Sequence, residues 1–518
     1  MGIQAFALSL VALAGTIQAA VIPERAAILE KLTSSGACCA ALDYFLPGKV
    51  HLKSILDLEY QASQLSFWSA QEQSLLPSCI VIPTSTQDVS TAVKILNMGN
   101  QISIARCKFA VRGAGHTPHA GSANINEGVT IDMQSMNQVV VSSDKKIVKI
   151  GAGNRWGNVF PTLDEMDLGM VGGRVSPVGA GGLITGGGIS YFSGRYGLAC
   201  DNIETFEVVL ANGTIATASS NRNSDLYKAL KGGSNNFGIV TRFDAKLFPQ
   251  KAFWGGSIAQ PITVKDDVIS FFTNFTSSSN FDPYAGLISD FAWLAGIPSI
   301  IHQVAYTDSE ATWPPPSLAE LDALPKVATT IRKAELSSFT NELAATLAVT
   351  NGRLNLFTTS TFINRPGVTE AFMSSVYDLA DQVAKEFLSV VGIIFTMSFQ
   401  PVSYAMYSKS AATGGNVLGL DRFTDDTINV VFTVSWQLPL DSARVEARVK
   451  KLEGDIVALA KQRGIFNEFI YLNYAAPWQD PIRGYGQQNV AFMKAVSKRY
   501  DPGGLFQKGV PGGFKVGL

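Results

Sequence analysis

Arg112-Gly113-Ala114-Gly115-His116-Thr117 is a glycine-rich turn that delivers one of only four histidines in the chain. Gly113 and Gly115 can take positive φ and bring their N–H groups close to an anion, and Arg112 adds a permanent cation. The loop therefore reads as a cradle for a phosphate-bearing cofactor, with an imidazole one residue further on. Glycine turns alone are common between strands. Here the flanks, 110–111 and 129–133, are short β-type runs, which predicts that a sheet presents the turn.

A second concentration of glycine supports that reading. Ten of the 26 residues in 172–197 are glycine, in the blocks Gly179-Ala-Gly181-Gly182 and Gly186-Gly187-Gly188. Such density costs conformational entropy and needs a reason. Leu183, Ile184, Ile189, Tyr191 and Phe192 interrupt it with core-type side chains. A flexible linker is thereby excluded, and a packed loop whose backbone approaches a flat or anionic ligand is predicted. Neither a dinucleotide fingerprint nor a Gly-x-x-x-x-Gly-Lys loop is present. His51, His116, His119 and His302 show no metal-ligand spacing, so no metal is expected.

At 518 residues, 46% hydrophobic and 16% charged, the chain is an ordinary globular protein large enough for two or three domains. A net charge of -1 without a basic run excludes nucleic acid as a partner. The apolar run at 3–14, too short to span a bilayer and followed by Ala19 and Ala20, reads as a secretory signal peptide over 1–20. After its removal a monomer without membrane contact is expected. In a secreted chain Cys38, Cys39, Cys79 and Cys107 predict two disulfides. All three pairings stay open, the adjacent Cys38–Cys39 bridge being sterically least favourable. Cys200 reads as a buried thiol. Asn212-Gly-Thr and Asn274-Phe-Thr are glycosylation candidates.

Along the chain, 80–82 reads as a strand and 84–97 as a helix capped by Ser85 or Thr86. Strand-like runs at 139–141, 147–150, 207–210 and 239–243 alternate with glycine turns. Beyond Pro249, longer runs at 300–306, 354–362 and 429–438 alternate with amphipathic helices. The clearest helix, 442–463, carries Val445, Val449, Leu452, Ile456 and Leu459 on one stripe. From 469 to 516 the chain is aromatic and glycine-rich again. An α+β protein is predicted, with an N-terminal segment (21–71), a sheet-rich cofactor domain (72–250), an inserted substrate domain of antiparallel sheet backed by helices (251–465), and a C-terminal segment (466–518) returning to the cofactor domain.

Six motifs in order carry a family resemblance: Pro77-Ser-Cys-Ile-Val-Ile-Pro-Thr; Val111-Arg-Gly-Ala-Gly-His; Val178-Gly-Ala-Gly-Gly with Gly186-Gly-Gly-Ile-Ser; Tyr196-Gly-Leu-Ala-Cys-Asp-Asn; Lys231-Gly-Gly-Ser-Asn-Asn-Phe-Gly-Ile-Val-Thr; and Tyr471-Leu-Asn-Tyr with Tyr500-Asp-Pro-Gly-Gly-Leu-Phe. Through them the chain resembles fungal flavin-linked oxidoreductases of the berberine-bridge-enzyme type, in the vanillyl-alcohol-oxidase superfamily. The resemblance implies a PCMH-type FAD-binding domain in two sequence segments. It implies FAD contacts at Arg112, Gly113, Ala114, Gly115, His116, Thr117, Val178, Gly179, Gly181, Gly182, Gly186, Gly187, Asp201, Ile239, Val240 and Asn473.

His116 stands where the family's histidine bonds the flavin 8α-methyl group, and Ala114 replaces a family glycine. Val175, in Val175-Ser-Pro-Val-Gly, stands where many relatives carry a second, cysteine anchor, so a single covalent link is implied. Val178 matches a valine beside the oxygen-reactive flavin face. Tyr471 or Tyr474 is a candidate catalytic base. The expected function is FAD-dependent oxidation of a small, hydroxylated or amine secondary metabolite, with oxygen reduced to hydrogen peroxide. Carbohydrate oxidation and a flavin-scaffolded, non-redox cyclisation are the alternatives. His302, Tyr306, Phe395, Ser398 and Trp436 fall on strand-like runs and are candidates for the substrate pocket.

Overall fold

The computed structural model describes residues 23–517 except 105 and 295, so the leader read at 1–20 lies outside the described residues. Strand Cys79–Val81 runs parallel to Val129–Asp132, and Val129–Asp132 parallel to Phe109–Arg112, with Val50–Leu52 antiparallel at the edge. The central strands Cys79–Val81 and Val129–Asp132 are buried at every residue, because a parallel sheet is covered on both faces. Helix Thr86–Gln101 starts at a capping box: Ser85 accepts from the Asp88 N–H, and the Asp88 carboxylate accepts from the Ser85 N–H.

The disulfides pair Cys38 with Cys107 and Cys39 with Cys79. Gly99 makes room for the first, since a Cβ there would lie 2.5 Å from both sulfurs. Cys200 is a buried free thiol, as expected. An antiparallel sheet of five strands follows, in the order Val139–Val141, Ile147–Gly151, Ile239–Lys246, Ile203–Val209, Ile215–Ser219.

A nine-stranded antiparallel sheet is built around Phe253–Gln260, Ile297–Tyr306, Ala285–Leu294, Ile394–Val402, Thr427–Trp436 and Leu354–Ile363, adjacent in that order. Helices Lys265–Thr276, Thr369–Glu386 and Ser442–Gln462 cover one face, where Phe272, Val376 and Leu452 join Phe291, Met397 and Phe432 in one core. Successive side chains alternate between faces. Phe395, Met397 and Phe399 therefore enter this core, while Ile394, Thr396, Ser398 and Gln400 face the other way.

A second hydrophobic core joins residues from 28 to 253 with residues from 469 to 516. It also takes Val402, Met406, Tyr407, Val417, Leu418 and Leu420, from inside the 251–465 span. Leu418 packs where Gly187 and Gly232 lack side chains: a Cβ would lie 3.2 Å and 2.7 Å from it. Among the described residues no helix is long and apolar enough to cross a membrane. The α+β architecture with antiparallel sheets is the one the sequence implied.

Candidate active site between the glycine loops and the long sheet

A cavity of about 480 Å³ lies between the two glycine segments, the open face of the long sheet and the C-terminal return at 471–475. Gly113, Ala114, Gly115, His116 and Thr117 line it, with Val178, Gly179, Gly181, Gly182, Ile239, Val240 and Asn473. Gly115 takes φ +68, and its carbonyl accepts from the Trp68 N–H at 3.0 Å. The turn thus needs glycine at this position and is fixed from behind.

Arg112 is not among the lining residues. Its buried guanidinium donates to the Ser63 carbonyl, to Ser66 Oγ and, at 3.0 Å, to Asp132, and lies 3.9 Å above the Phe67 ring. Arg112 pairs with Asp132 across parallel strands, so both side chains fall on the same buried face. The cation expected to meet a phosphate instead anchors the loop. A second arginine, Arg155, ties the two glycine segments together by donating to the carbonyls of Ala114 and Pro177.

Three more expected contacts lie off the cavity. Gly186 is where Asn473 approaches, and a Cβ there would overlap Asn473 Oδ1. Gly187 packs against Leu418 and Tyr471. Asp201 is buried, accepts from the Leu198 N–H and Asn416 Nδ2, and has its carboxyl pKa raised by burial. Part of the glycine density thus serves packing of chain on chain.

The His116 ring stacks on Trp68, centroids 4.5 Å apart and 6° from parallel. Burial, reinforced by the Arg155 cation, lowers its pKa to about 4, so the imidazole is neutral and nucleophilic. Trp68 is itself held by a hydrogen bond from Nε1 to Thr350 Oγ1. His119, expected from the sequence to be a peripheral side chain without a role, instead lines the cavity, with Nδ1 buried and unpaired among the described residues.

Of the two tyrosines, Tyr471 accepts from the Gly188 N–H, the Ile189 N–H and Asn473 Nδ2, and burial pushes its hydroxyl pKa well up. Tyr474 accepts at 2.8 Å from Arg174, whose same nitrogen donates at 2.8 Å to Gln400. Both tyrosines line the cavity.

On the sheet, only Ser398 of the five pocket candidates faces the cavity. Phe395, Tyr306 and Trp436 lie in the helix-backed core, and the buried His302 ring is held between Ser289 Oγ and Gln260 Oε1. Alternation places Asp290, Gln303, Thr396, Gln400, Thr433 and Ser435 on the cavity side instead. Polar residues inside the strand runs were the available signal, most clearly Asp290 between Ser289 and Phe291.

These residues suit a large organic group. A Cβ at Gly182 would meet nothing within 4 Å, so a ligand can approach the backbone there. Asp290 is the one carboxylate among the lining residues and stands on the sheet, leaving the glycine loops free of acidic side chains. Fold and cavity leave room, with open backbone at the glycine loops, for an organic cofactor of this size.

The family described as FAD binding domain matches residues 77–219. The chain is 36% identical over 489 residues to the FAD-dependent monooxygenase sdcF of Emericella nidulans, covering 93% of this chain and 99% of that protein. Its fold is similar to that of 6-hydroxy-D-nicotine oxidase from Arthrobacter nicotinovorans, with TM-score 0.71, 20% identity, and coverage of 89% of this chain and 96% of that one. It is also similar to a berberine bridge enzyme variant described as a reticuline dehydrogenase, with TM-score 0.67, 15% identity and coverage of 95% and 99%. The chain belongs to the family of the FAD-dependent monooxygenase sdcF, as an FAD-binding oxidoreductase, and it shares the fold of the berberine bridge enzyme.

Proposed function

We propose that the protein is a secreted FAD-dependent oxidase of a small hydroxylated organic molecule. The observation that carries this reading is the Tyr474 hydroxyl, held at 2.8 Å by Arg174 where glycine loops, sheet and C-terminal return meet. Residues 72–250 and 466–518 form the cofactor body, and 251–465 supply the substrate chamber. Bound FAD supplies a hydride acceptor that molecular oxygen reoxidises.

The chain's own residues bind, orient and move a proton. In its deprotonated form Tyr474 takes the proton of the substrate hydroxyl, while the Arg174 guanidinium holds the phenolate oxygen in place. As the C–H hydrogen leaves with its electron pair, the carbonyl forms. Tyr471, with its oxygen occupied by three donors, positions Asn473 and the Gly188–Ile189 backbone. Ile394, Val431 and Leu343 keep water from the reacting carbon. His116 is the single covalent tether: its neutral imidazole faces the cavity, and Val175 offers no sulfur for a second. Two disulfides and the exposed sequon residues Asn212 and Asn274 support passage through the secretory pathway, with glycosylation at both.

The sdcF relative's name favours a second reading, in which one oxygen atom enters the product. Turnover under labelled oxygen separates the two. One peroxide per oxygen consumed, with unlabelled product, supports the oxidase. Label in the product overturns it in favour of a monooxygenase, and a product isomeric with the substrate without oxygen use overturns it in favour of a cyclase.

A further inference from the structure

The scheme above leaves the cavity's one carboxylate without a role. Asp290 lies in strand Ala285–Leu294, directly opposite Ser398 on Ile394–Val402, whose side chain favours the ionised carboxylate. Two residues along the same face stands Gln400, which accepts from the Arg174 guanidinium that also holds Tyr474. Tyr474, Arg174, Gln400, Ser398 and Asp290 thus form one polar track. Beside it the walls are apolar: Ile288, Ile394, Phe357 and Val431 from the sheet, Leu343 and Leu347 from helix Leu336–Leu347. A carboxylate held deep in such a chamber carries a desolvation cost that a ligand donor can offset.

We propose that the substrate is a mainly apolar molecule with at least two hydroxyl groups, one bound at Tyr474 and Arg174 and the second donated to the carboxylate of Asp290. This rests on the reading of the cavity as the substrate chamber of an FAD enzyme. Arg174 and Asp290 oppose each other in charge, so the track suits neutral hydroxyls, whereas an ammonium group would meet the guanidinium as like charge. An oligosaccharide, with hydroxyls on all sides, would leave donors unpaired against Ile288, Ile394, Leu343 and Leu347. Burial, moderated by Ser398 and Arg174, raises the Asp290 carboxyl pKa to about 6, so above that pH it accepts as a charged carboxylate and below it only as a neutral acid, a weaker acceptor.

The test is calorimetric binding to the flavin-loaded protein of isomeric naphthalenediols, naphthol and aminomethylnaphthalene. At about pH 8 one diol should bind roughly tenfold or more tighter than naphthol, the contribution of a hydrogen bond to a charged acceptor. Asp290→Asn, close to isosteric but a neutral acceptor, should cut that preference severalfold and leave naphthol affinity within about twofold. Ser398→Ala, which spares the carboxylate, should keep most of the preference. Lowering the pH to about 5 should weaken it in the wild type and in Ser398→Ala but not in Asp290→Asn. The titratable groups around Asp290 are Arg174, Tyr474 and Tyr191, and Tyr191, pushed up to about 12 by burial, stays neutral over that range. Equal affinities for diols and naphthol, an Asp290→Asn loss shared by both, or tightest binding by the amine would overturn the proposal. Because binding is read as heat, these outcomes leave the flavin reading standing; purified protein without flavin sinks that reading instead.

Discussion

On the loop side of the cavity a ligand meets backbone and small residues, Gly113, Ala114, Gly179, Gly181 and Gly182; on the sheet side it meets the ends of Asp290, Thr396, Ser398, Gln400 and Thr433. The loops have no regular ladder of their own, so they are held from behind by Arg112 on Asp132, by Arg155 on two carbonyls, and by Trp68 under His116. The sheet needs no such props, because its far face is a hydrophobic core under three helices. On the loop side, where we propose that the cofactor is held, retention and stability are therefore entangled. On the sheet side they are separable, since one face makes the fold and the other meets the ligand.

The sharpest break between the halves is His116→Ala. After acid precipitation the yellow colour should move entirely from the pellet to the supernatant, with the diol preference set by Asp290 unchanged. Colour already in the supernatant for the wild type would refute the tether. A weaker tether is expected for Trp68→Leu, read as a pellet that keeps only part of its colour; full retention would show that the stack does not orient His116.

Stability differences come next in size. Asp132→Ala leaves the Arg112 guanidinium buried and unpaired behind the loop, which costs about 3–5 kcal/mol by denaturant titration. Phe395→Ala, on the core face of the sheet, should cost a similar 3–5 kcal/mol or so. Its neighbour Thr396→Val faces the cavity and should stay within about 1 kcal/mol while changing ligand affinity. If the two sheet variants destabilise alike, the separation of faces is wrong.

Smallest is the contrast of two glycines. Gly186→Ala must displace Asn473 and should cost about 1–3 kcal/mol. Gly182→Ala meets nothing within 4 Å, so the thermal midpoint without flavin should hardly move while flavin occupancy falls. Equal occupancy in Gly182→Ala and the wild type would place the cofactor away from that helix turn.

How much of this was legible depended on whether a signal was local. Glycine density, a histidine behind a turn and the capping residues of Thr86–Gln101 act within a few residues, so the loops, Ser85 and the helix stripe at 442–462 could be read directly. The role of Arg112 could not, because it depends on parallel pairing with Asp132. Nor could Trp68, whose stack on His116 joins segments separated by 48 residues. Choosing pocket residues by type favoured large groups, and His302, Tyr306, Phe395 and Trp436 turned out to fill the helix-backed side.

The sequence alone determined the class of the protein, since six ordered motifs encode backbone shapes that the cofactor loops require and that few side chains permit. Tertiary structure alone decided which of two alternating faces opens on the cavity, which cation anchors the loop, and that Asp290 lines the cavity. Periodicity specifies that residues share a face, and only packing against helices or against open space specifies which face it is.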